Sequence, residues 1–261
     1  MKGPAPTTEN AMTIRSINAH FKPKTAMILA AGLGKRMRPI TSTIPKPLIE
    51  IRGRALIDYG LDALARNGVQ RVVVNVHYMA DLMRAHLRKR KDMEIVVSDE
   101  TDKLLDSGGG IVKALPDLGK DPFYLLNADT FWIDGYRDNL DLLAELWNPA
   151  KMDVSLLIAE MRHSTGYDGD GDFIMDPSGL LARVPERVVS PFIYAGGAII
   201  KPEMFDGMTA EKFSLNRIFD QQIEAERLFG VRLDGVWITV GTPSAIPLAE
   251  AAFVASASAA A

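Results

Sequence analysis

Short apolar runs and amphipathic stretches alternate along residues 25–160. The run TAMILA (25–30) is continuous and stops at Gly32, so it reads as a buried strand entering a glycine turn. Residues 55–67 put Leu56, Tyr59, Leu61, Leu64 and Ala65 on one helical face, and Gly68 follows as a C-cap. VQRVVVNV (69–76) is a β-branched run and reads as a strand. A helix is expected over 81–91, opening on Asp81 and closing on Arg88, Lys89, Arg90 and Lys91, as the helix dipole favours. Further strands are expected over 93–98, 122–127 and 154–160, with helices over 111–115 and 140–147. Beyond residue 160 the pattern loosens. It suggests strands at 173–174, 180–184 and 192–200, a helix over 215–228, and a bent strand or strand pair over 231–240. A last helix over 247–254 fades into an Ala/Ser tail at 255–261, and residues 1–24 read as a flexible extension. No repeat is visible, and in particular no hexapeptide repeat.

Strand–helix alternation at this spacing means βαβ units: an α/β fold with a mostly parallel sheet and helices on both faces. In such sheets ligands bind beyond the carboxyl ends of the strands. Gly32 and Asp129 both fall at expected carboxyl ends, which is the first reason to read them together.

Composition narrows the class. Of 261 residues, 47% are hydrophobic and 24% charged, which excludes an intrinsically disordered chain. No apolar run is long enough for a membrane helix, and residues 1–25 lack the apolar core of a secretory signal. There is no cysteine, which excludes disulfides, thiolate catalysis and Cys-based zinc sites and fits a cytoplasmic setting. The net charge of −3 conceals an asymmetry. Between Lys22 and Arg54 eight basic residues face one acid, Glu50, a net of +7, so the rest carries −10. A nucleic-acid-binding protein is more often basic throughout. One compact basic segment in an acidic chain points instead to a small anionic ligand.

The segment 29–48 reads LAAGLGKRMRPITSTIPKPL. It is not a P-loop, because Arg36 follows Lys35 where Ser or Thr is required. It is not the dinucleotide fingerprint, because Met37 stands where the third glycine belongs. The physics that remains is still specific. Gly32 and Gly34 allow positive φ and close backbone approach, and turn amides can form an anion-binding nest. Arg36 and Arg38 follow at once, and Lys46 is held between Pro45 and Pro47, which stiffen the backbone around it.

The pattern G-x-G-x-R-M-x-P-x-T-x-x-x-P-K-P-L, present from Gly32 to Leu48, resembles the signature of the sugar-1-phosphate nucleotidyltransferases. The resemblance continues through LDSGGGIVKAL (105–115), LNAD (126–129), 194–196 and WITVGT (237–242), nearly the whole chain. It implies a Rossmann-like three-layer sandwich with a mixed, mostly parallel sheet. It also implies one domain over 25–254, with a nucleotide-binding half (25–160) and a sugar-binding half (161–254). The implied reaction joins an NTP and a sugar 1-phosphate, with Mg²⁺, to give an NDP-sugar and pyrophosphate. The sugar phosphate attacks the α-phosphorus in line, so the protein must position two anions and neutralise charge. By the same resemblance Arg36 holds the β/γ-phosphates, Lys46 serves the α-phosphate, and Leu29, Ala30, Ala31, Gly32, Gly34 and Lys35 line the nucleotide. Asp106, Gly108 and Gly109 contribute to the base pocket; Asp172, Tyr194 and Gly196 shape the sugar side; Asp129 binds the metal. Within the family, the Gly108-Gly109-Gly110 triplet, the Gly171-Asp172-Phe173 step and the short length most resemble enzymes that use UTP and N-acetylmuramate 1-phosphate, as in cell-wall recycling, and the resemblance implies that pair. GTP and mannose 1-phosphate are the alternative pair. Neither a nucleic acid nor a membrane partner is implied.

One departure from the pattern stands out. Related enzymes carry a second metal-binding aspartate in a W-x-D-x-G-T segment, and here Thr239 holds that position. Three readings follow: Asp129, phosphates and water suffice for the metal; Asp234 substitutes; or activity is reduced, and the same departure favours the alternative of a sugar-nucleotide-binding regulator that has lost catalysis. Other signals fail. Asp168, Asp170 and Asp172 mimic the start of a calcium loop, but Phe173 and Gly179 stand where Gly and Glu are required. His20, His77, His86 and His163 lack metal-ligand spacing, though His77 follows a strand end beside the expected cleft. No G-x-S-x-G elbow occurs. Met27, Met37, Met79, Met83 and Met93 read as core filling.

Overall fold

The computed structural model describes residues 21–259. The extension expected at 1–24 therefore lies outside the described residues as far as residue 20. Residues 22–24 are tied to the body: Lys22 pairs with Asp141, and the Lys24 carbonyl accepts the amides of Gln70 (2.9 Å) and Arg71 (3.3 Å).

The described residues form fourteen strands and six α-helices. The strands are β1 (Thr25–Leu29), β2 (Glu50–Ile51), β3 (Arg54–Ala55), β4 (Arg71–Val76), β5 (Glu94–Asp99), β6 (Phe123–Asn127), β7 (Thr130–Asp134), β8 (Val154–Glu160), β9 (Ser164–Thr165), β10 (Phe173–Met175), β11 (Leu181–Arg183), β12 (Phe192–Ile200), β13 (Leu228–Arg232) and β14 (Gly235–Thr239). The helices are α1 (Leu56–Arg66), α2 (Ala80–Leu87), α3 (Asp106–Leu118), α4 (Asn139–Glu145), α5 (Asn216–Glu224) and α6 (Ala245–Ala259). The central sheet runs β13-β8-β12-β6-β1-β4-β5, and β10 and β11 add on beside the start of β12. All seven of its central strands are parallel except β12. The fold is the expected Rossmann-like α/β sandwich.

The strands are apolar on both sides because both faces are covered. Ala26 and Ile28 of β1 join Val72, Val74, Tyr124 and Leu126 in the cluster under α1, α2 and α4. Met27 joins Val73, Phe123 and Leu125 in the cluster under α3 and α5. A third cluster lies beneath the glycine-rich loop. There Met37, Ile49, Leu56, Phe131, Ile238, Val240 and Ala245 meet where α6 packs on the small sheet β7-β14-β9.

Several boundaries differ from expectation, each for a local reason. Helix α2 ends at Leu87, short of the basic run. The amides of Lys89 and Arg90 make tight i−3 bonds, and Arg90 turns back to Asp62 (2.6 Å) and Asp92 (2.7 Å). Helix α3 contains the glycine triplet instead of starting after it. Helix α5 stops at Glu224, because Glu226 takes a left-handed turn (φ 55°) and Leu228 already belongs to β13. The stretch 231–240 is no hairpin. β13 extends the central sheet beside β8, whereas β14 pairs with β7 in the small one. Strand β7 was not expected. The supposed Ala/Ser tail continues α6 to residue 259. No helix among the described residues is long and apolar enough to cross a membrane.

Parallel register brings the ends of β1, β4, β5 and β6 to one edge: Leu29 aligns with Asn75 and Asn127, and Asn75 with Ser98. β4 and β6 flank β1 on opposite sides, so the crevice opens above the carboxyl end of β1. At the opposite edge an ion cluster ties three strand ends together. Asp153 accepts from Lys201 (2.6 Å) and from Arg227 (2.5 and 2.9 Å). Burial pushes the Asp153 carboxyl up, but the bonds from Arg227 and Lys201 outweigh it and hold it below the usual carboxylate range. A carboxyl with a lowered folded-state pKa stabilises the fold above its unfolded pKa, and this stabilisation fades as pH falls through the folded value. Asp153→Asn is expected to cost about 2–4 kcal/mol at neutral pH. Denaturant titration from pH 7 to pH 2 should show the gap to wild type narrowing below the ordinary carboxylate pKa; a gap constant with pH would refute the ionic origin.

Candidate active site

The loop after β1 is built from three short 3₁₀ turns, Lys35–Met37, Ile40–Ser42 and Lys46–Leu48. Of its cations only Lys46 is ion-paired among the described residues, with Asp129. The loop is pinned from below by Met37, which is fully buried in the third cluster. Full burial of one such side chain contributes about 1.5–3 kcal/mol. Above the pin, Thr41 Oγ1 donates to the Gly34 carbonyl (2.8 Å), and Tyr78 Oη donates to the Thr41 carbonyl (2.8 Å). Gly34 is left-handed (φ 59°), and a Cβ there would sit 2.9 Å from Thr41 Cγ2 and 3.1 Å from Lys46 Cβ. Gly32 differs. Its φ is not left-handed and a Cβ would meet nothing within 4 Å, so the folded chain does not require glycine there. Its open side belongs to the cleft.

That cleft has a volume of about 600 Å³. Leu29, Ala30, Ala31, Gly32, Gly34, Lys35, Arg36, Lys46, Asp106 and Asp129 all line it, so the structure brings these expected residues together. Asn75, Leu104, Ser107, Asn127, Lys212 and Gly241 also line it and carry no assignment from sequence. Lys46 is nearly buried and donates to Asp129 Oδ2 at 2.7 Å, while the Asp129 carboxylate stays 40% exposed. The Asp129 carbonyl accepts the Val240 amide (3.1 Å), which docks the end of β14 against the β6–β7 turn. This brings Gly241 under Arg36: three guanidinium atoms lie 3.9–4.0 Å from the place of a Gly241 Cβ. Thr239 pairs with Thr130 at this end of β14. Asp234 is beyond the opposite end of β14 and accepts the Arg137 amide (2.8 Å). The substitution of Asp234 for the missing second aspartate is therefore excluded by position. Among the described residues no cluster of three or more metal-binding side chains forms.

The floor of the cleft is held by a buried polar chain. The Ala30 amide donates to Asn75 Oδ1 (2.7 Å), and Asn75 Nδ2 donates to Glu100 Oε1 (2.8 Å). Glu100 Oε2 accepts the Leu105 amide (2.9 Å) just before α3. Asn75 and Glu100 are 2% and 1% exposed, so both carboxylate oxygens of Glu100 are satisfied without a cation. Asn75 interrupts an otherwise apolar strand; that break in RVVVNV was the available signal. His77 is a structural residue, its Nδ1 2.7 Å from the Glu100 carbonyl oxygen, and is not part of the cleft wall.

Gly108 and Gly109 are not where the resemblance implies, at the base pocket. They are buried inside α3 and do not line the cleft. A Cβ at Gly108 would collide with the Phe213 ring, and one at Gly109 with the Glu211 carbonyl oxygen. Gly110 leaves room for Glu100 Oε1 (2.7 Å) and Asn75 Nδ2 (2.9 Å). Glycine inside a helix costs about 1 kcal/mol relative to alanine, so three in a row mark a packing demand. Asp172, Tyr194 and Gly196 are also outside the cleft lining. Asp172 accepts the Tyr194 amide (2.9 Å); burial pushes its carboxyl up, against that bond and the Arg183 charge. Among the described residues the buried Tyr194 hydroxyl has no hydrogen-bond partner, and its ring meets Phe219 edge-on at 5.5 Å. It faces the core and is not presented as a sugar-binding donor. Gly196 (φ 77°) sits in the β12 bulge, where a Cβ would crowd Thr130 and the Asn127 side chain. Its part is to seat Asn127, which does line the cleft.

A strand-end cleft lined by a glycine-rich turn and by Lys35, Arg36, Lys46 and Lys212 against Asp106 and Asp129 suits a phosphorylated ligand. Residues 25–253 match the family model described as Nucleotidyl transferase. The chain is 42% identical to N-acetylmuramate alpha-1-phosphate uridylyltransferase of Caulobacter vibrioides, over 88% of this chain and 96% of that one. It is 31% identical to the protein of the same name from Neisseria meningitidis serogroup B, over 87% and 96%. The fold is similar to that of a UDP-glucose pyrophosphorylase solved with UDP-glucose (TM-score 0.73, 18% identity, 89% and 99% covered). The chain belongs to the nucleotidyl transferase family. Within it, this is an enzyme of the sugar-1-phosphate nucleotidyltransferase type.

The two loop glycines separate fold from ligand. Gly34→Ala is expected to lose about 1–2 kcal/mol, from the left-handed φ and the contacts with Thr41 and Lys46. Gly32→Ala is expected to melt like wild type and to bind nucleotide at least about tenfold more weakly. Thermal melts and nucleotide titrations of both variants check this; unchanged nucleotide affinity in Gly32→Ala would show that the ligand does not approach that backbone.

Proposed function

We propose that the enzyme joins UTP and N-acetylmuramate 1-phosphate to give the UDP-sugar and pyrophosphate. The observation that carries this is the meeting of Arg36, Lys46 and Asp129 over the carboxyl ends of β1 and β6. The relatives over whose length the chain aligns favour the uridine and N-acetylmuramate pair. A phosphate oxygen of the sugar substrate attacks the α-phosphorus of the nucleotide. A new P–O bond forms as the α–β bridging P–O bond breaks, and pyrophosphate departs with the electron pair. No protein nucleophile is needed, and the residues contribute positioning and charge.

Arg36, laid flat against Gly241, holds the departing phosphates through its planar fork of donors. Lys46 neutralises charge at the α-phosphate, and its release from Asp129 to the ligand frees that carboxylate. The backbone of Ala30, Ala31 and Gly32 lines the base and ribose, with Asp106 on the facing end of α3. The sugar side is assigned to the cleft wall at Asn127, which Gly196 seats from behind.

The site suits Mg²⁺ that arrives with the triphosphate. Asp129 offers an exposed hard oxygen donor, and Oδ1 makes no protein bond among the described residues. Mg²⁺ usually takes one or two carboxylates and completes its shell with water and phosphate. When bound, it would supply further charge neutralisation at the phosphates. The supply of NTP places the reaction in the cytoplasm.

The test is pyrophosphate release across UTP, GTP, CTP, ATP and dTTP against a panel of sugar 1-phosphates. Release with UTP and N-acetylmuramate 1-phosphate is expected, lost with EDTA and restored by Mg²⁺. Release only with GTP and mannose 1-phosphate would reassign the substrates. Nucleotide binding without release would favour a regulator that has lost catalysis along with the second aspartate. Arg36→Ala and Asp129→Ala should each lower kcat/KM by about 10²–10³ with an unchanged melt. Near-normal turnover in both would overturn the assigned roles.

A further inference from the structure

We propose that Lys212 is a substrate-binding residue whose ammonium holds a phosphate oxygen from the cleft wall formed by Leu104, Asp106 and Ser107. The proposal rests on the reading of this cleft as a site for a nucleotide and a sugar 1-phosphate. Lys212 is exposed and lines the cleft. Among the described residues its ammonium has no hydrogen bond and no ion pair. Asp106, on the same wall, does not take it: its carboxylate is turned onto the Ser107 amide (2.7 Å) and hydroxyl (3.3 Å).

The segment that carries Lys212 is built in, unlike an ordinary surface loop. The Phe213 amide donates to the Leu105 carbonyl (3.2 Å), and the Gly108 amide donates to the Phe213 carbonyl (2.9 Å). Ser107 Oγ accepts the Leu215 amide (2.9 Å). On one side of Lys212 the Glu211 carbonyl fills the space beside Gly109. On the other the Phe213 ring fills the space beside Gly108. Two helical glycines are thus used to press residues 211 and 213 onto the first turn of α3. The only side chain left free between them is a lysine over the cleft. Such fixation cuts the ordering cost of binding while the four-carbon stem keeps its reach. The chemistry calls for it. The two substrates together bring a triphosphate and a monophosphate, more anionic groups than Lys35, Arg36 and Lys46 can meet between them.

The experiment is separate calorimetric titration of the full chain, with Mg²⁺, by UTP and by N-acetylmuramate 1-phosphate. Wild type is compared with Lys212→Ala, Lys212→Arg and Lys120→Ala, an exposed lysine outside the cleft. Lys212→Ala should weaken one of the two ligands by about tenfold or more, with smaller loss at high salt. Lys212→Arg should restore most of the affinity, and Lys120→Ala should match wild type. A shift for UTP assigns the contact to the triphosphate; a shift for the sugar phosphate assigns it there. Gly109→Ala, which displaces residue 211, should reproduce the loss; if it does not fold, the lysine variants decide alone. Equal affinities of wild type and Lys212→Ala for both ligands would overturn the proposal while leaving the reading of the cleft intact. A wild type that binds neither ligand would overturn both.

Discussion

Cations gathered in one loop repel each other, and the loop after β1 must be held by something other than charge pairing. The structure meets this constraint with an apolar pin and neutral hydrogen bonds. Met37 is buried beneath the turn that carries Lys35 and Arg36, and Thr41 and Tyr78 close the next turn through backbone carbonyls. The Ala30 amide, where the loop leaves the sheet, is tied to Asn75. Holding the loop in this way leaves Lys35 and Arg36 without carboxylate partners among the described residues, so their charge remains for a ligand. Lys46 alone is paired, and its partner Asp129 is itself a site residue. The same pin explains why the third glycine of a dinucleotide fingerprint is absent. That position is needed for a large apolar side chain.

Glu100 extends this logic to the other wall. A carboxylate removed from water normally needs a cation. Here the Asn75 amide group and the Leu105 amide, at the positive end of α3, provide two donors instead. One buried side chain thereby fixes the start of α3 relative to the end of β1, the two elements that face each other across the cleft. Gly110 is the complement of this arrangement, since any side chain would displace the carboxylate. The triplet Gly108-Gly109-Gly110 is therefore a packing motif with two duties: seating residues 211–213 and making room for Glu100.

These duties show what was legible in the chain and what was not. The strands of the parallel half declared themselves, because burial on both faces demands continuous β-branched runs such as RVVVNV. The loop chemistry was legible because prolines and glycines punctuate it locally. Gly108 and Gly109 read as ligand contacts in the sequence because their partners, Phe213 and Glu211, are some hundred residues away, and nothing local distinguishes a glycine that meets a ligand from one that meets Phe213. Lys212 was invisible for the same reason. Tyr194 was misassigned because the bulge in β12 decides which way each side chain points, and a bulge leaves no mark on periodicity. The end of α2 was missed because a basic last turn suits the dipole, whereas the acids at 62 and 92 drew Arg90 out of the helix.

Thr239 is best understood through charge. The ionisable side chains that line the cleft are Lys35, Arg36, Lys46 and Lys212 against Asp106 and Asp129, a net of +2. A second carboxylate beside Asp129 would halve that excess and stand close to the entering phosphates. It would gain a metal ligand while adding repulsion whenever the metal is away. With a hydroxyl there, the cleft keeps its net positive charge and so its attraction for a phosphorylated ligand; on the proposed function, Mg²⁺ would arrive with the triphosphate and find part of its ligands there. Thr239 is then consistent with a site that recruits its metal together with its nucleotide.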